Sequence, residues 1–434
     1  MYPVVCLLLL VPSQISYAEE VKELQIKGGL LYQAWSDSAE SMPCGITIHT
    51  PTAVPDRYPL QVVMLIDASY HMEGAPIQQA KASAKAVLDL LADTDMFGLI
   101  TYSQYARDLF SIQPLNPNNR RNAVSAIDRS KYEKGRNLSE GLLKAGEQFN
   151  KFKGQRSSGQ YIILITNGNP DKGVTDFSQL LDQVTKLAED YNVHFTTIGY
   201  DQFYDENFLI DCARKTGGRA YFIEEMAINT MTAIVIDEVK RITETCVLDV
   251  TVELITPSAS SIDHVYGGAL RDDKIYIGNL AAGLKQSILF ELTGRPKRRR
   301  DLEVNVDYME PVRKTPRTER IYVDIPVGTG HQSYDTQFGP LLLNYTIQKG
   351  LAEAIEQIRD GESYVRKDFA ESFKQTIKQL EQDNVSLKSD YLAESIKYYK
   401  QVRHDIENGA IEDALLTKKI KYHFLELTYG ERVK

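Results

Sequence analysis

Residues 62–74 read VVMLIDASYHMEG. Five apolar side chains run without a break into Asp67, Ala68 and Ser69. A strand with one wet face alternates apolar and polar positions, so an unbroken apolar run implies a strand covered on both faces. The polar residues at its end mark where that strand leaves the core. Two questions follow: why it ends on an aspartate and a serine, and what His71 and the later Arg136 do near them.

The same texture continues downstream. Apolar runs at 60–66 (LQVVMLI), 96–103 (MFGLITYS), 161–166 (YIILIT), 193–200 (VHFTTIGY) and 220–224 (AYFIE) alternate with helix-like runs at 76–93, 119–130, 138–152, 176–191 and 206–218. This alternation predicts an α/β unit with a doubly wound, mainly parallel sheet. Ligand sites in such folds lie at the carboxyl ends of the strands. The IDAS segment therefore opens onto the binding edge.

After Ile242 the pattern changes to short strands parted by turn residues: CVLDVTVELI (246–255), DKIYIGNL (273–280), KQSILFELT (285–293), LEVNVDYM (302–309) and RIYVDIPV (320–327). LQIKGGLLYQAW (24–35) and CGITIHT (44–50), ahead of the α/β unit, have the same character. These flanks predict a β-sandwich, built from 19–57 and 243–330, into which the α/β domain (58–242) is inserted. The basic run RPKRRR (295–300) reads as a solvated hairpin loop. From 331 to 434 the spacing turns helical, with stripes at Ile355 and Ile358; Phe369, Phe373, Ile377 and Leu380; Leu392, Ile396 and Tyr399; and Leu416, Ile420 and Phe424. Breaks at Gly361, Asn384–Ser389 and Asn408-Gly409 suggest four helices forming a C-terminal helical domain. Core packing is the reading for Tyr398-Tyr399.

The chain has 434 residues and a formal net charge of −9. That acidic balance argues against nucleic acid, whose phosphates need a basic face. The 25 tyrosines beside a single tryptophan suit half-exposed sheet faces and contact surfaces. Residues 1–18 carry an apolar run, too short to span a bilayer, followed by Ser16-Tyr17-Ala18, and are read as a signal peptide although no Lys or Arg precedes the run. The mature protein is then expected to be secreted, periplasmic or cell-surface, with no transmembrane segment. Its three cysteines are Cys44, Cys212 and Cys246. Cys212 is read as core, and a Cys44–Cys246 disulfide is left open.

Taken in order, LQVVMLIDASYHMEG, MFGLITYS, KGRNLSEGLLKA, ILITNGNPDKG and HFTTIGYDQFYDENFLIDCARKTGGRAYFI resemble the successive segments of a von Willebrand factor type A domain, over roughly residues 58–240. The flanking strands and helical tail are similar to bacterial secreted or periplasmic proteins in which this Rossmann-like domain sits inside a β-sandwich. The resemblance implies a metal-ion-dependent adhesion site: Asp-x-Ser-x-Ser after the first strand, a Thr from a following loop and an Asp after a later strand. Together these oxygens hold a hard dication with an open position for a partner's carboxylate.

Asp67 and Ser69 match the first two positions, but His71 replaces the second serine, Arg136 the threonine and Asn167 the late aspartate. Arginine brings a fixed positive charge and no acceptor. The expectation is therefore a degenerate site without Mg²⁺ or Ca²⁺; any ion would rest on Asp67 and Ser69. One reading places the Arg136 guanidinium in the ion's position, paired with Asp67 and bonded to Ser69 or Asn167, so that Arg136 and His71 offer positive charge to an acidic partner group. The other treats the site as decayed. A zinc reading with Asp67 and His71 lacks a third ligand.

No catalytic motif appears: there is no Gly-x-Ser-x-Gly, no phosphate-binding glycine loop and no His-Glu-x-x-His. Asp67 with Asp171 as paired carboxylates would have nothing to act on. The sequons at Asn137, Asn344 and Asn384 are read as chance matches. The sequence thus predicts a non-catalytic, cofactor-free protein that binds another protein through the loops at 67–74, 133–139 and 167–173. The rival readings are an intracellular adaptor for an ATPase assembly and a metal-dependent hydrolase built on Asp67 and His71.

Overall fold

The computed structural model describes residues 23–328, apart from 31–34, 37–38, 53–58, 153–158, 201–202, 224–229, 257–259, 267, 272–273, 295–299 and 312–314. Beyond these it describes residue 350, residues 366–388 and individual positions between 393 and 432. The expected leader, residues 295–299 of the RPKRRR run and the helical positions Ile355, Ile358, Leu392, Leu416, Ile420 and Phe424 lie outside the described residues.

The α/β domain is built on β1 (Leu60–Asp67), β2 (Met96–Tyr102), β3 (Ala106–Pro114), β4 (Gly159–Thr166), β5 (Val193–Tyr200) and β6 (Ala220–Ile223). They form one sheet in the order β3-β2-β1-β4-β5-β6. All neighbours are parallel except β2 and β3. Every residue of β1 and β4 is buried, the state their apolar runs require. Val62, Met64 and Ile66 face a core shared with α1 (Ala75–Leu90), α2 (Pro117–Arg129) and α6 (Thr230–Thr243). Val63 and Leu65 face the opposite core, shared with α3 (Leu138–Asn150), α4 (Phe177–Tyr191) and α5 (Glu206–Thr216). Because neighbours of β1 run parallel to it, their carboxyl ends open on one edge, where Asp67 stands level with Tyr102.

The flanks join across the insertion. Ser41–His49, ahead of the α/β domain, pairs antiparallel along its whole length with Leu284–Thr293, behind it, from His49 opposite Lys285 to Ser41 opposite Thr293. Gln25–Leu30 and Ser261–Tyr266 complete that path, and Glu431–Arg432 from the chain's end adds to Leu284–Lys285. A second sheet orders Ala269–Arg271, Lys274–Ala281, Thr245–Ile255, Arg300–Met309 and Pro316–Ile325. Met42, Ile46 and Phe290 of the first sheet share one core with Val252 and Val304 of the second. Cys44, Cys212 and Cys246 are all free thiols, and Cys212 lies in the core beneath α5.

In the C-terminal region α7 (Arg366–Leu387) buries Phe373, Ile377 and Leu380, and Phe373 meets the buried Tyr399 edge to face. Farther along, the chain docks on the outer side of the α/β domain. Lys418 Nζ donates to Glu206 Oε2 at 2.9 Å and to the Tyr204 carbonyl at 2.7 Å. Lys421 Nζ donates to Glu206 Oε1 at 2.7 Å and to Asn207 Oδ1 at 2.8 Å. Tyr422 stacks on Phe222. Burial of Glu206 opposes its charge, but the bonds from Lys421 and Lys418 outweigh it and hold the carboxyl below its usual range.

Candidate functional site at the carboxyl edge of the sheet

Asp67, the last residue of β1, is fully buried. Its Oδ1 accepts the Ser69 N–H at 2.8 Å, the local turn that an aspartate makes with the amide two residues on. Its Oδ2 accepts the Thr166 hydroxyl, from the end of β4, at 3.2 Å. The Ala68 N–H bonds to the Tyr102 carbonyl at 2.7 Å, and the Ala68 carbonyl accepts the Glu133 N–H at 2.7 Å. The strand therefore ends on Asp67 and Ser69 because both tie the turn to its neighbours. A single 3₁₀ turn over Tyr70–Met72 follows, and Gly74, at φ +85°, redirects the chain into α1.

Burial pushes the Asp67 carboxyl above its usual range, and the Ser69 bonds, the nearby Arg136 charge and the Thr166 hydroxyl do not offset it. The Ser69 hydroxyl favours the charged carboxylate but makes no hydrogen bond of normal geometry. Tyr102, at the end of β2, also holds its hydroxyl buried without such a bond.

Arg136 enters from the loop between α2 and α3. Its N–H donates to Asp171 Oδ1 at 2.7 Å, while its carbonyl accepts the N–H groups of Asp171 and Lys172 at 3.1 and 3.2 Å. The expected fork on Asp67 does not form. The guanidinium instead lies against Gly168, where a Cβ would stand 2.7 Å from Cζ. Nε and Nη1 are buried with no hydrogen-bond partner, and Arg136 acts on Asp67 through its charge alone. The reason is steric: the glycine after Asn167 leaves a space over the backbone that a flat guanidinium fills. Asp171, considered above as a partner of Asp67, serves instead to fasten the Arg136 backbone.

Asn167 Nδ2 donates to the His71 carbonyl at 2.6 Å, and its Oδ1 is buried and unpartnered. The His71 residue is exposed. The five residues thus come together at one edge, four of them around a buried recess and His71 by its backbone. Half of the ten buried side-chain polar atoms without a partner among the described residues belong here: Ser69 Oγ, Tyr102 Oη, Arg136 Nε and Nη1, and Asn167 Oδ1. No group of three or more His, Cys, Asp or Glu side chains forms a metal-ligand cluster among the described residues. Sequence reasoning missed Thr166, Tyr102 and Gly168. Each stands at a strand end or directly beside Asn167, a position the fold makes part of the recess.

A doubly wound sheet whose central strand ends in this Asp-x-Ser turn, with partners from the α2–α3 loop and the tip of β4, is the arrangement of a von Willebrand factor type A domain. The chain carries that domain: the family model for the von Willebrand factor type A domain matches residues 61–234. An uncharacterised protein of Synechocystis sp. is 29% identical over 168 residues, covering 39% of this chain and 38% of that protein. Inter-alpha-trypsin inhibitor heavy chain H1 of Sus scrofa is 31% identical over 173 residues, covering 38% of this chain and 19% of that one. The match therefore spans well under two thirds of either relative. Among solved structures, a von Willebrand factor type A protein from Catenulispora acidiphila superposes with a TM-score of 0.69 at 13% identity, covering 96% of this chain and 99% of that one. This last likeness is one of fold. Domains of this family generally mediate contacts between proteins and are generally non-enzymatic.

Proposed function

We propose that this is an exported, non-catalytic binding protein that engages another protein through the carboxyl-edge loops without a divalent ion. The observation that carries the reading is the position of Arg136. A hard dication is held by about six oxygens. Both oxygens of Asp67 already accept a hydrogen bond, and the oxygens without a partner close by are three neutral ones, Ser69 Oγ, Tyr102 Oη and Asn167 Oδ1. Between these loops lies a guanidinium, which offers only donors and a fixed positive charge. The donor set does not fit Mg²⁺ or Ca²⁺. It fits an acidic group of a partner, which Arg136 and the exposed His71 would meet.

The likeness to a protein named as a heavy chain of an inhibitor supports a binding role. The apolar run and Ser16-Tyr17-Ala18 support export, which N-terminal sequencing of the native protein tests by starting at Glu19.

Calorimetric titration of chelator-stripped protein with Mg²⁺, Mn²⁺ and Ca²⁺ tests the metal-free reading. It is expected to be silent, and the combined His71→Ser, Arg136→Thr and Asn167→Asp variant is expected to gain one-to-one binding. Binding by the wild type that vanishes in Asp67→Ala would overturn the reading.

A further inference from the structure

The recess is ringed by exposed aromatic side chains. Four of the eight large hydrophobic residues most exposed among the described residues lie on this edge: Tyr70 at 49%, Tyr105 at 59%, Tyr132 at 36% and Phe203 at 54%. They come from four different loops. Tyr70 and Tyr132 pack edge to face with centroids 5.8 Å apart, and the Phe203 carbonyl accepts the Asn169 N–H at 3.2 Å, which joins its loop to the one after β4. Solitary exposed aromatics need no explanation, but a ring of them around one recess marks a contact surface.

The charges of the same edge are sorted. The described acids are engaged. Glu73 accepts the Tyr132 hydroxyl at 2.6 Å, Glu133 holds Arg107 through both oxygens, Asp171 fastens Arg136, and Asp205 caps α5 through the Phe208 N–H. Lys131, Lys134 and Lys172 are exposed, and no ion pair among the described residues includes them. Lys172 packs by its Gly135 neighbour, at the mouth of the recess. In a chain of net charge −9, the face that carries the aromatic ring thus also carries three exposed cations outside any ion pair among the described residues.

We propose that this ring is the docking site for an extended acidic segment of a partner protein. The carboxylates of that segment meet Lys131, Lys134 and Lys172, and its interleaved apolar residues pack on Tyr70, Tyr105, Tyr132 and Phe203. The proposal rests on the carboxyl-edge reading above and adds the chemistry of the partner. Because Nε and Nη1 of the half-buried Arg136 are shut off from solvent, the exposed lysines and aromatics make the first contacts. A polyanion with a charge on every unit, such as a nucleic acid or a polyuronate, suits the face less well. Glu73 and Glu133 stand among the lysines and repel it, whereas a peptide places its charges selectively.

The probe is a fluorescein-labelled dodecapeptide of three Asp-Phe-Glu-Gly repeats, with a Lys-Phe-Lys-Gly counterpart, oligodeoxythymidine and polygalacturonate as comparators. Anisotropy is read with the full chain, in Mg²⁺ and in chelator. The acidic peptide is expected to bind in both buffers and to weaken as salt rises. The triple Lys131→Gln, Lys134→Gln, Lys172→Gln variant is expected to bind about tenfold more weakly, as three exposed charge pairs would give. Phe203→Ala should weaken binding while leaving its salt dependence intact. Circular dichroism confirms that both variants fold. No peptide binding in either buffer, equal binding by the lysine variant, or tighter binding of either comparator polyanion overturns the proposal. Lysine-dependent binding that appears only with Mg²⁺ supports the acidic partner and overturns the metal-free reading, so the two failures are distinct.

Discussion

Replacing Asp67 by Asn should make the domain more stable at neutral pH. Asp67 is fully buried, and two neutral donors and the charge of Arg136 do not cancel the cost of desolvating its carboxylate. An asparagine fits the same contacts. Its carbonyl accepts the Ser69 N–H, and its amide donates to the Thr166 hydroxyl, which is already 3.2 Å from the Gly168 carbonyl and can donate there. The gain is that of removing an under-compensated buried group, about 1–3 kcal/mol. For a domain of this size that raises Tm by roughly 2–4 °C per kcal/mol.

The pH dependence carries the sign. A carboxyl raised above its unfolded value binds its proton more tightly in the folded state, so its contribution is complete below the unfolded value, near 3.9, and is lost as pH rises through the folded one. Wild type and Asp67→Asn should therefore unfold alike near pH 3.9, and the variant's advantage should widen with rising pH until the folded carboxyl is ionised. Thermal unfolding of both proteins from pH 4 to pH 8 measures this. An Asp67→Asn protein less stable than wild type at pH 7 refutes the argument. It would mean that the carboxylate is a net partner of Arg136, or of an ion.

Gly168→Ala should push the Arg136 guanidinium, the free end of a flexible side chain, out of its place and cost about 1 kcal/mol, and Arg136→Ala should remove most of that cost in a double-mutant cycle. Glu206→Gln should leave Lys418 and Lys421 buried without their carboxylate and cost about 3–5 kcal/mol, read as faster proteolysis and amide exchange of the C-terminal segment. Since the Glu206 carboxyl is depressed, its contribution in wild type is present above about pH 4.3 and is lost as pH falls through the folded value, so acid should release the tail first.

Much of the fold was legible because burial on both faces writes itself into sequence as an apolar run. β1 and β4, buried at every position, are the clearest cases. β3 escaped for the complementary reason. It is the antiparallel edge strand, and Arg107 and Asp108 on its outer side break the run. Helix α6 escaped because TAIVIDEV, rich in β-branched residues, does not look helical. Its buried face also includes Glu238, which takes Arg241 one turn later through both oxygens at 2.8 and 2.6 Å. Burial works against the Glu238 charge, but Arg241 and its neighbours outweigh it and draw the carboxyl down to about 2. The pair itself is local, but its burial rests on tertiary partners, the Thr196 hydroxyl donating to Glu238 Oε1 at 2.7 Å and the Tyr221 hydroxyl to Oε2 at 2.9 Å, and no local periodicity shows those. Lys418 and Lys421 are hidden in the same way, since their burial depends on Glu206 more than two hundred positions earlier.

The candidate site divides along the same line. Asp67, Ser69, His71 and Asn167 stand at or just past the carboxyl ends of β1 and β4, where strand order carries them to one edge, whereas Arg136, in the α2–α3 loop, was named through the family resemblance. What Arg136 does there did not follow, because it turns on Gly168, whose missing side chain makes room for a guanidinium. A charge-pairing argument selects Asp67 as the partner of Arg136, since opposite charges at one site attract. Packing decides otherwise: the space over Gly168 takes the flat group, and Asp67 spends both its oxygens on the Ser69 amide and the Thr166 hydroxyl. The result is a buried acid and a nearby cation that feel each other without bonding. That arrangement gives up stability at the recess, as sites shaped for a ligand commonly do. It also leaves the aromatic ring and the unpaired lysines as the part of the face that a partner meets first.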